Sequence, residues 1–217
     1  AEVKRSNLFF LPYAIDTERF TDKEQKLKKE AAKIRNNLGI QPEEFVLCFI
    51  GKFIEKKNPL FVLNSIIKHN HNHSKKVHLL FIGNGKLENK MKKMASPYDF
   101  IHFLPFVNQK EVPIAYRVGN LFVLPSGGPN ETWGISVNEA LESGIPVLLS
   151  DKVGSAVDFA TNKNVLVFKS NNKNSFLRQL EKALELKYDR ANNELYTFKV
   201  LAEKFEKLIK KVLRKAI

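Results

Sequence analysis

The chain has 217 residues, of which 43% are hydrophobic, so it can fill the core of one large domain or two small ones. No apolar run approaches the roughly 18 to 20 residues that cross a bilayer, and no signal-peptide pattern opens the chain, so we expect a soluble, cytoplasmic protein. The net charge of +13 favours an anionic partner, which can be a nucleotide, nucleic acid or anionic lipid.

Residues 1–20 are predicted to form an interdomain linker or a first strand. An apolar stretch at residues 8–11 ends at Pro12, and a turn-like segment follows it. Residues 21–217 are then expected to form one domain.

The first element of this domain is a charged helix, predicted over residues 22–38. Thr21 and Glu24 have the spacing of a capping box, in which each side chain satisfies a free backbone N–H. Gly39 suits the end of the helix, because glycine readily adopts the left-handed conformation found there.

Beyond this helix, short apolar runs alternate with segments whose apolar residues recur every three or four positions. The runs lack polar alternation, which is typical of strands that are covered on both faces. They predict a doubly wound, Rossmann-like α/β fold, with a parallel sheet of about six strands between helix layers. Cys48, the only cysteine, lies in the first run and is predicted to be a buried core residue. The runs occupy residues 45–50, 77–82, 101–107, 121–124, 146–150 and 165–168.

Two further segments have patterns that are open to more than one interpretation. His69, His71 and His73 alternate in an Asn-rich stretch, which we interpret as a solvated loop rather than a structural zinc site. Residues 192–217 are predicted to form a long amphipathic helix that packs on the domain with a solvated basic face. The alternative is that the basic end of this helix binds a membrane surface.

The loops after the strands contain the candidate site, because ligands of doubly wound folds bind beyond the carboxyl ends of the strands. Glycine occurs in three of these loops, at residues 51–57, 83–86 and 126–131, and it lets a backbone approach a ligand closely. The chain has no GxxxxGK[ST] motif and no complete dinucleotide fingerprint, which argues against ATPase and NAD-binding functions. One site shared by the three loops is predicted.

A second helix is predicted to begin near Gly134, and the free amides at its start attract an anion. Lys52 and Lys57, in the loop after the first strand, can approach the same anion, so a diphosphate is a suitable ligand. No Asp-x-Asp pair is present to hold a divalent metal, and neither a metal nor another cofactor is expected. The amides belong to Thr132, Trp133, Gly134 and Ile135.

Two carboxylates beside an anion site need a ligand that donates hydrogen bonds to them, and sugar hydroxyls do so. Glu139, on the helix, suits the two hydroxyls of a ribose, and Glu131, in the turn, suits a hexose. A nucleoside diphosphate linked to a sugar satisfies all of these groups. The alternatives are a glycoside hydrolase with Glu131 and Glu139 as its carboxylate pair, and a basic module that binds nucleic acid or an anionic membrane.

Several stretches together resemble the C-terminal, donor-binding domain of glycosyltransferase family 4, or glycosyl transferases group 1, whose members have the GT-B fold. Glu131 and Glu139 match the E-x7-E motif of that family. The resemblance implies that Glu139 binds the ribose of the donor and that the catalytic residue Glu131 binds the transferred sugar. It also implies that Lys52 and Lys57 hold the diphosphate. The matching stretches are GKFIEKKN, LLFIGNGKLE, IHFLPFV, NLFVLPS and ETWGISVNEALESGIPVLLSD.

The resemblance further implies a UDP- or GDP-linked donor and metal-independent transfer with retention of configuration. Gly51 is implied as a donor contact, and Phe106 and Val107 as nucleobase contacts. Lys52 stands where the family usually has Arg, and the loop after the fifth strand is reduced to residues 152–155.

The resemblance also has implications for partners. The acceptor, a glycan or lipid-linked glycan in surface polysaccharide biosynthesis, is expected to bind an N-terminal domain outside these 217 residues. The fragment is therefore expected to be inactive alone. Peripheral association with the inner face of the membrane is expected, and nucleic acid is not an expected partner.

Overall fold

The computed structural model describes residues 4, 8–128, 131–185 and 196–215, and a six-stranded sheet lies at its centre. The strands are β1 (Phe45–Ile50), β2 (Val77–Ile82), β3 (Ile101–Leu104), β4 (Leu121–Leu124), β5 (Val147–Ser150) and β6 (Val165–Phe168). Their order is β3-β2-β1-β4-β5-β6, and all neighbouring strands are parallel. All carboxyl ends therefore lie at one edge of the sheet.

Helices cover both faces of the sheet. They are α1 (Glu18–Thr21), α2 (Glu24–Asn37), α3 (Pro59–Asn72), α4 (Glu88–Ala95), α5 (Val112–Val118), α6 (Ser136–Glu142), α7 (Lys173–Glu185) and α8 (Phe198–Lys215). Consecutive strand residues face opposite sides, and both sides are apolar: Leu47 and Phe49 join one buried cluster, Val46 and Cys48 the other. Residues of α3, α4 and α7 complete the first cluster, and residues of α2, α5 and α6 the second. The predicted doubly wound fold is confirmed.

The strand predictions match the structure closely. Four strands have the predicted bounds, while β3 ends at Leu104 rather than at residue 107, and β5 begins at Val147 rather than at Pro146. Cys48 is fully buried, and its burial raises the pKa of the thiol to about 12, as suits an unreactive core residue.

The predicted capping box is wrong. Thr21 is the last residue of α1, and its hydroxyl donates to the carbonyl of Glu18. Lys23, with a φ of 56°, precedes α2, which begins at Glu24 without a side-chain cap. The predicted end of this helix is confirmed, because Gly39 has a φ of 72° and donates its N–H to the carbonyl of Asn36.

The interpretation of the three histidines as a solvated loop is also wrong. His69 and His71 lie in the last turn of α3, and His73 is its C-terminal cap. His69 is only 1% exposed, whereas His71 and His73 are exposed. The alternating spacing of the histidines does not reveal which of them is buried, because residues two apart on a helix point in different directions.

The C-terminal helix has an exposed apolar surface, which contradicts the prediction that it packs on the domain through its apolar face. Five of its side chains are at least 45% exposed: Phe198, Phe205, Ile209, Val212 and Leu213. The helix lies beside the first segment, residues 8–16, where Lys204 and Lys211 sit over the rings of Phe10 and Phe9. The predicted positions 192–195 and 216–217 fall outside the described residues. None of the described helices is both long and apolar enough to span a bilayer.

Residues 8–16 form no strand, so they do not make a first strand of the sheet, and their role as an interdomain linker stays a prediction. Ile15 makes an isolated parallel bridge with Thr197, just before α8, and its N–H donates to the carbonyl of Tyr196. The start of the described chain is thus attached to the base of its last helix.

Packing around β1 predicts the cost of one added methyl group. A Cβ at Gly119 would lie 2.5 Å from the sulfur of Cys48, so Gly119→Ala should destabilise the fold by about 1–3 kcal/mol. The free energy of unfolding is measured by urea denaturation. Gly128→Ala is the matched control, because a Cβ there meets no heavy atom within 4 Å. Equal unfolding midpoints for the two variants would contradict the close contact at Gly119.

Candidate functional site

The strand order places a topological switch point between β1 and β4. From β1 the chain proceeds to β2 on one side, and it later returns to β4 on the other side. The loops that leave β1 and β4 therefore diverge and open a crevice, where doubly wound folds bind their ligands. A short 3-10 helix, Glu55–Lys57, follows β1, and Ser126 follows β4.

Glu131 and Lys57 meet in this crevice. The Lys57 Nζ lies 2.5 Å from Glu131 Oε2, and the buried hydroxyl of Ser126 donates to the same oxygen over 2.9 Å. The N–H of Gly127 donates to the carbonyl of Lys56, which connects the two loops directly. The structure therefore brings together two of the predicted site residues. An ammonium group has three N–H donors, so Lys57 can bind a further anion while it remains paired with Glu131.

The loop after β5 forms a wall behind Glu131. The N–H of Gly154 donates to the carbonyl of Glu131 over 2.9 Å, and the N–H of Ser155 donates to the carbonyl of Trp133 over 3.2 Å. A Cβ at Gly154 would lie 1.8 Å from the carbonyl oxygen of Thr132, so only glycine permits this approach. The short loop predicted at residues 152–155 thus supports the backbone of the candidate site.

The segment 132–135 differs in part from the prediction. Helix α6 begins at Ser136, two residues later than predicted, and Ile135 is its N-terminal cap. Gly134, with a φ of 83°, makes the turn into the helix. The amides of Thr132, Trp133, Gly134 and Ile135 donate no hydrogen bond within the part of the chain that the structure describes. Thr132 and Ile135 are exposed and Trp133 and Gly134 are buried, so the amides of Thr132 and Ile135 are the more accessible to a ligand.

The side chain of Trp133 belongs to the core and does not face the crevice. It is 8% exposed, and its indole N–H donates to the amide oxygen of Asn138 over 2.9 Å. The amide group of Asn138 in turn donates to the carbonyl of Tyr13. The indole ring also lies against four aromatic rings, from residues 8–16, from the loop after β5 and from a position two residues before α8: Phe10, Tyr13, Phe159 and Tyr196.

Glu139 lies on α6 with its side chain 14% exposed. The hydroxyl of Tyr116 donates to Oε2 over 3.0 Å, and Arg19 Nη2 lies 3.2 Å from Oε1. Burial raises the pKa of Glu139, and this effect outweighs the opposing effects of Tyr116 and Arg19. Burial, followed by the charge of Glu139, raises the pKa of Tyr116 well above its usual value. The carboxylate is thus fixed by two donors and largely removed from water.

Sequence reasoning missed Arg19, Tyr116 and Ser126. Arg19 lies 120 positions before Glu139 in a segment without a motif, and it also donates to Gln109 over 2.7 Å. Tyr116 resembles an ordinary apolar helix residue. No spacing signal marks these contacts, because they arise only when distant segments meet at one edge of the sheet.

The remaining predicted residues lie on neighbouring loops. Lys52 is exposed, and Gly51 packs so closely on Gly83 that a Cβ at Gly83 would lie 2.0 Å from the Gly51 carbonyl oxygen. Phe106 is 67% exposed, which is incompatible with a core role, while Val107 packs partly against the core. Their contact with a nucleobase stays a prediction.

The sequence of residues 30–200 matches the pattern of the family described as glycosyl transferases group 1. The chain belongs to this family. A curated relative is the alpha-monoglucosyldiacylglycerol synthase of Streptococcus pneumoniae, 28% identical over an alignment of 163 residues; the match covers 68% of this chain and 35% of the relative. The fold agrees with that of WaaG, described as a glycosyltransferase involved in lipopolysaccharide biosynthesis, with a TM-score of 0.65 and 20% identity. That superposition covers 93% of this chain and 51% of WaaG.

A second solved structure is Anabaena HepE in complex with UDP and glucose, with a TM-score of 0.64 and 14% identity over 91% of this chain and 50% of that one. This likeness again concerns the fold. The chain spans about a third of the length of the curated relatives that it matches, for example 32% of an uncharacterized glycosyltransferase from Methanocaldococcus jannaschii. This glycosyltransferase-family domain is thus similar to one part of those proteins.

The environment of Glu139 predicts a change in its titration. Arg19 lowers the pKa of Glu139, so Arg19→Ala should raise the pKa of this carboxyl further above its usual value. A carboxyl with a raised pKa binds its proton more tightly in the folded state. The titration of Glu139 therefore lowers the free energy of unfolding as pH rises from the pKa of this carboxyl in the unfolded state through its higher pKa in the folded state.

The pKa is measured by NMR titration of the side-chain carboxyl, assigned with Glu139→Gln. Lys33→Ala is the control, because Lys33 pairs with Glu30 on the exposed side of α2. An unchanged or lower pKa in Arg19→Ala would contradict the role of this ion pair.

Proposed function

We propose that this domain binds the nucleoside-diphosphate sugar of a retaining, metal-independent glycosyltransferase. The observation that carries the proposal is the meeting of Lys57 and Glu131 at the switch point. This arrangement places a cation that can bind a diphosphate, Lys57, next to a carboxylate that can bind sugar hydroxyls, Glu131. Family membership supports the same conclusion.

The donor sugar is assigned to Glu131. Its carboxylate is held by Lys57 and Ser126, which leaves its other oxygen, Oε1, for hydroxyl groups of the transferred sugar. Because Lys57 contacts this carboxylate, it lies next to the bond between sugar and diphosphate when the donor is bound. Lys57 then stabilises the negative charge that develops on the leaving diphosphate.

Lys52 and the amides of residues 132–135 provide further positive charge and donors for the diphosphate. Lys52 is exposed at the start of its loop and supplies a flexible point charge. In the proposed reaction these groups take the place that a divalent cation has in other nucleotide-sugar enzymes, so no metal cofactor is needed at the diphosphate.

Glu139 is assigned to the ribose. Arg19 donates to Oε1 of its carboxylate and Tyr116 donates to Oε2. Each carboxylate oxygen can accept more than one hydrogen bond. The ribose hydroxyls can therefore bind without displacing either donor. Phe106, exposed after β3, is the proposed contact for the base, which we take to be uracil or guanine.

The acceptor is assigned to a preceding N-terminal domain. An acceptor that is a glycan or lipid-linked glycan of surface polysaccharide would then react in the cleft between two domains, at the cytoplasmic face of the membrane. Apolar side chains of the linker segment, Leu8, Phe9 and Phe10, are exposed and provide a surface for such a domain.

Calorimetric titration with UDP, GDP and their sugars tests the proposal. We expect at least one nucleoside diphosphate to bind, and Glu139→Ala to weaken binding by roughly 1.5 to 3 kcal/mol, or about tenfold to a hundredfold, through the loss of charged hydrogen bonds. Glu30→Ala is the matched control, since Glu30 lies on the exposed side of α2. Absence of nucleotide binding, or equal affinities of the two variants, would refute the assignment of Glu139.

A second function is favoured by the exposed apolar residues of α8. Lys199, Lys207 and Lys210 are exposed on the same helix, so it combines basic and apolar groups. Helices of this kind bind at the surface of anionic bilayers. We propose that α8 can hold the domain at such a surface, which suits a lipid-linked acceptor.

Co-sedimentation with phospholipid vesicles tests this second function. We expect binding to vesicles with anionic lipid and little binding to zwitterionic ones, and a double variant Phe205→Ser with Ile209→Ser to bind about tenfold or more weakly. Val157→Ser is the control, because Val157 is 84% exposed and lies outside α8. Equal binding to both kinds of vesicle, or an unaffected double variant, would exclude the membrane function.

A further inference from the structure

A buried histidine at the end of α3 lacks the partners that such a group normally has. Both ring nitrogens of His69 are inaccessible to water, and neither makes a hydrogen bond of ordinary geometry to a residue that the structure describes, although the backbone of Lys75 lies close enough to act on the ring. Nearly all buried polar side-chain atoms in proteins are hydrogen-bonded, and each exception needs an explanation. A bound metal ion, which accepts a lone pair from a ring nitrogen, would explain this exception.

Two other potential metal ligands lie beside His69. One ligand atom each from His69, His73 and Glu181 lies within 4.8 Å of the others. The imidazole rings of His69 and His73 stack with their centroids 4.3 Å apart. Glu181 reaches the same place from α7, so the cluster joins two helices.

The hydrogen bonds of His73 prepare it as a metal ligand. Its Nδ1 lies 2.9 Å from the backbone carbonyl of His69, and because a carbonyl only accepts, Nδ1 carries the proton. In the neutral imidazole Nε2 therefore has a free lone pair, and it lies 3.5 Å from Glu181 Oε1. A carbonyl partner for the second ring nitrogen is the usual way in which proteins orient a metal-binding histidine.

The distances suit a tetrahedral metal ion. Zinc binds nitrogen and carboxylate oxygen at about 2.0–2.2 Å, which places two ligand atoms of a tetrahedron about 3.4 Å apart. The 3.5 Å between His73 Nε2 and Glu181 Oε1 agrees with that separation. The cluster borders a cavity of about 290 Å³, which has room for an ion and a water ligand.

We propose that His69, His73 and Glu181 form a binding site for a zinc-like divalent cation, with water as the fourth ligand. This is a different place from the donor site. Helix α3 begins just after Lys57 and is 14 residues long, so its end lies about 20 Å away at the opposite edge of the sheet. The ion would hold the end of α3 to α7 and take no part in sugar transfer.

The charges around the site limit its affinity without preventing binding. Glu181 and Glu185 line the cavity and favour a cation, whereas Lys75 lines it and opposes one. The side chain of Lys75 is exposed, so its ammonium group can turn into water.

Zinc titration of the 217-residue chain without a histidine tag tests the proposal, with a chromophoric chelator as competitor. We expect one zinc ion to bind, and His73→Ala and Glu181→Gln each to weaken binding about tenfold or more. Both residues have side chains at least 44% exposed, so neither substitution should prevent folding. The absorption spectrum of the Co²⁺ form should be that of a tetrahedral site.

Two histidine variants serve as matched controls. His71→Ala removes an exposed histidine from the same turn of α3, and His102→Ala disrupts the separate pair in which His78 Nδ1 lies 2.9 Å from His102 Nε2. Both should bind zinc with wild-type affinity, and zinc should raise their melting temperatures by as much as it raises that of the wild-type chain. Failure of the wild-type chain to bind zinc, or wild-type affinity in His73→Ala, would overturn the proposal.

Discussion

The candidate site depends on one constraint, the reversal of strand order between β1 and β4. In a parallel sheet the carboxyl ends share one edge, and the reversal separates the loops that leave the two central strands. Lys57 comes from one of these loops and Glu131 from the other, although they are 74 positions apart. The sheet therefore sets their distance, and no local motif is needed to do so.

Close approaches between backbones make this edge of the sheet compact. Gly83 packs on the carbonyl of Gly51, and Gly154 packs on the carbonyl of Thr132, each at a distance that excludes a Cβ. These contacts connect the loops after β1 and β2 and those after β4 and β5. The loops consequently support one another instead of moving as separate flaps, which favours a site that is formed before its ligand arrives.

The sequence predicts the sheet well because its strands are continuous apolar runs, whose ends are marked by glycine, proline or charge. It singles out Glu131, Glu139, Lys52 and Lys57 because they lie in motifs that follow those strands; the structure brings Lys57 and Glu131 into contact, and the binding roles of all four stay predictions. Prediction from the sequence fails where the backbone conformation of a single residue or a tertiary contact decides the structure. Thr21 and Glu24 fit a capping pattern, yet Lys23 breaks the helix between them.

Tertiary contacts also decide the surroundings of Glu139 and the histidines. Arg19 and Tyr116 reach Glu139 from two separate elements, and neither has a local signature. The cluster of His69 and His73 becomes visible only when α7 brings Glu181 to the end of α3. Spacing along the chain does not contain this information.

The pairing of Lys57 with Glu131 has a consequence for selectivity. While the crevice is empty, each charge is compensated by the other, so a small inorganic anion gains less from Lys57 than it would from an isolated ammonium group. A ligand that offers hydroxyl groups to Glu131 and negative charge to Lys57 serves both partners at once. Under the proposed function, the ion pair would thus discriminate against free phosphate, which is abundant in cells, and in favour of a sugar joined to a phosphate.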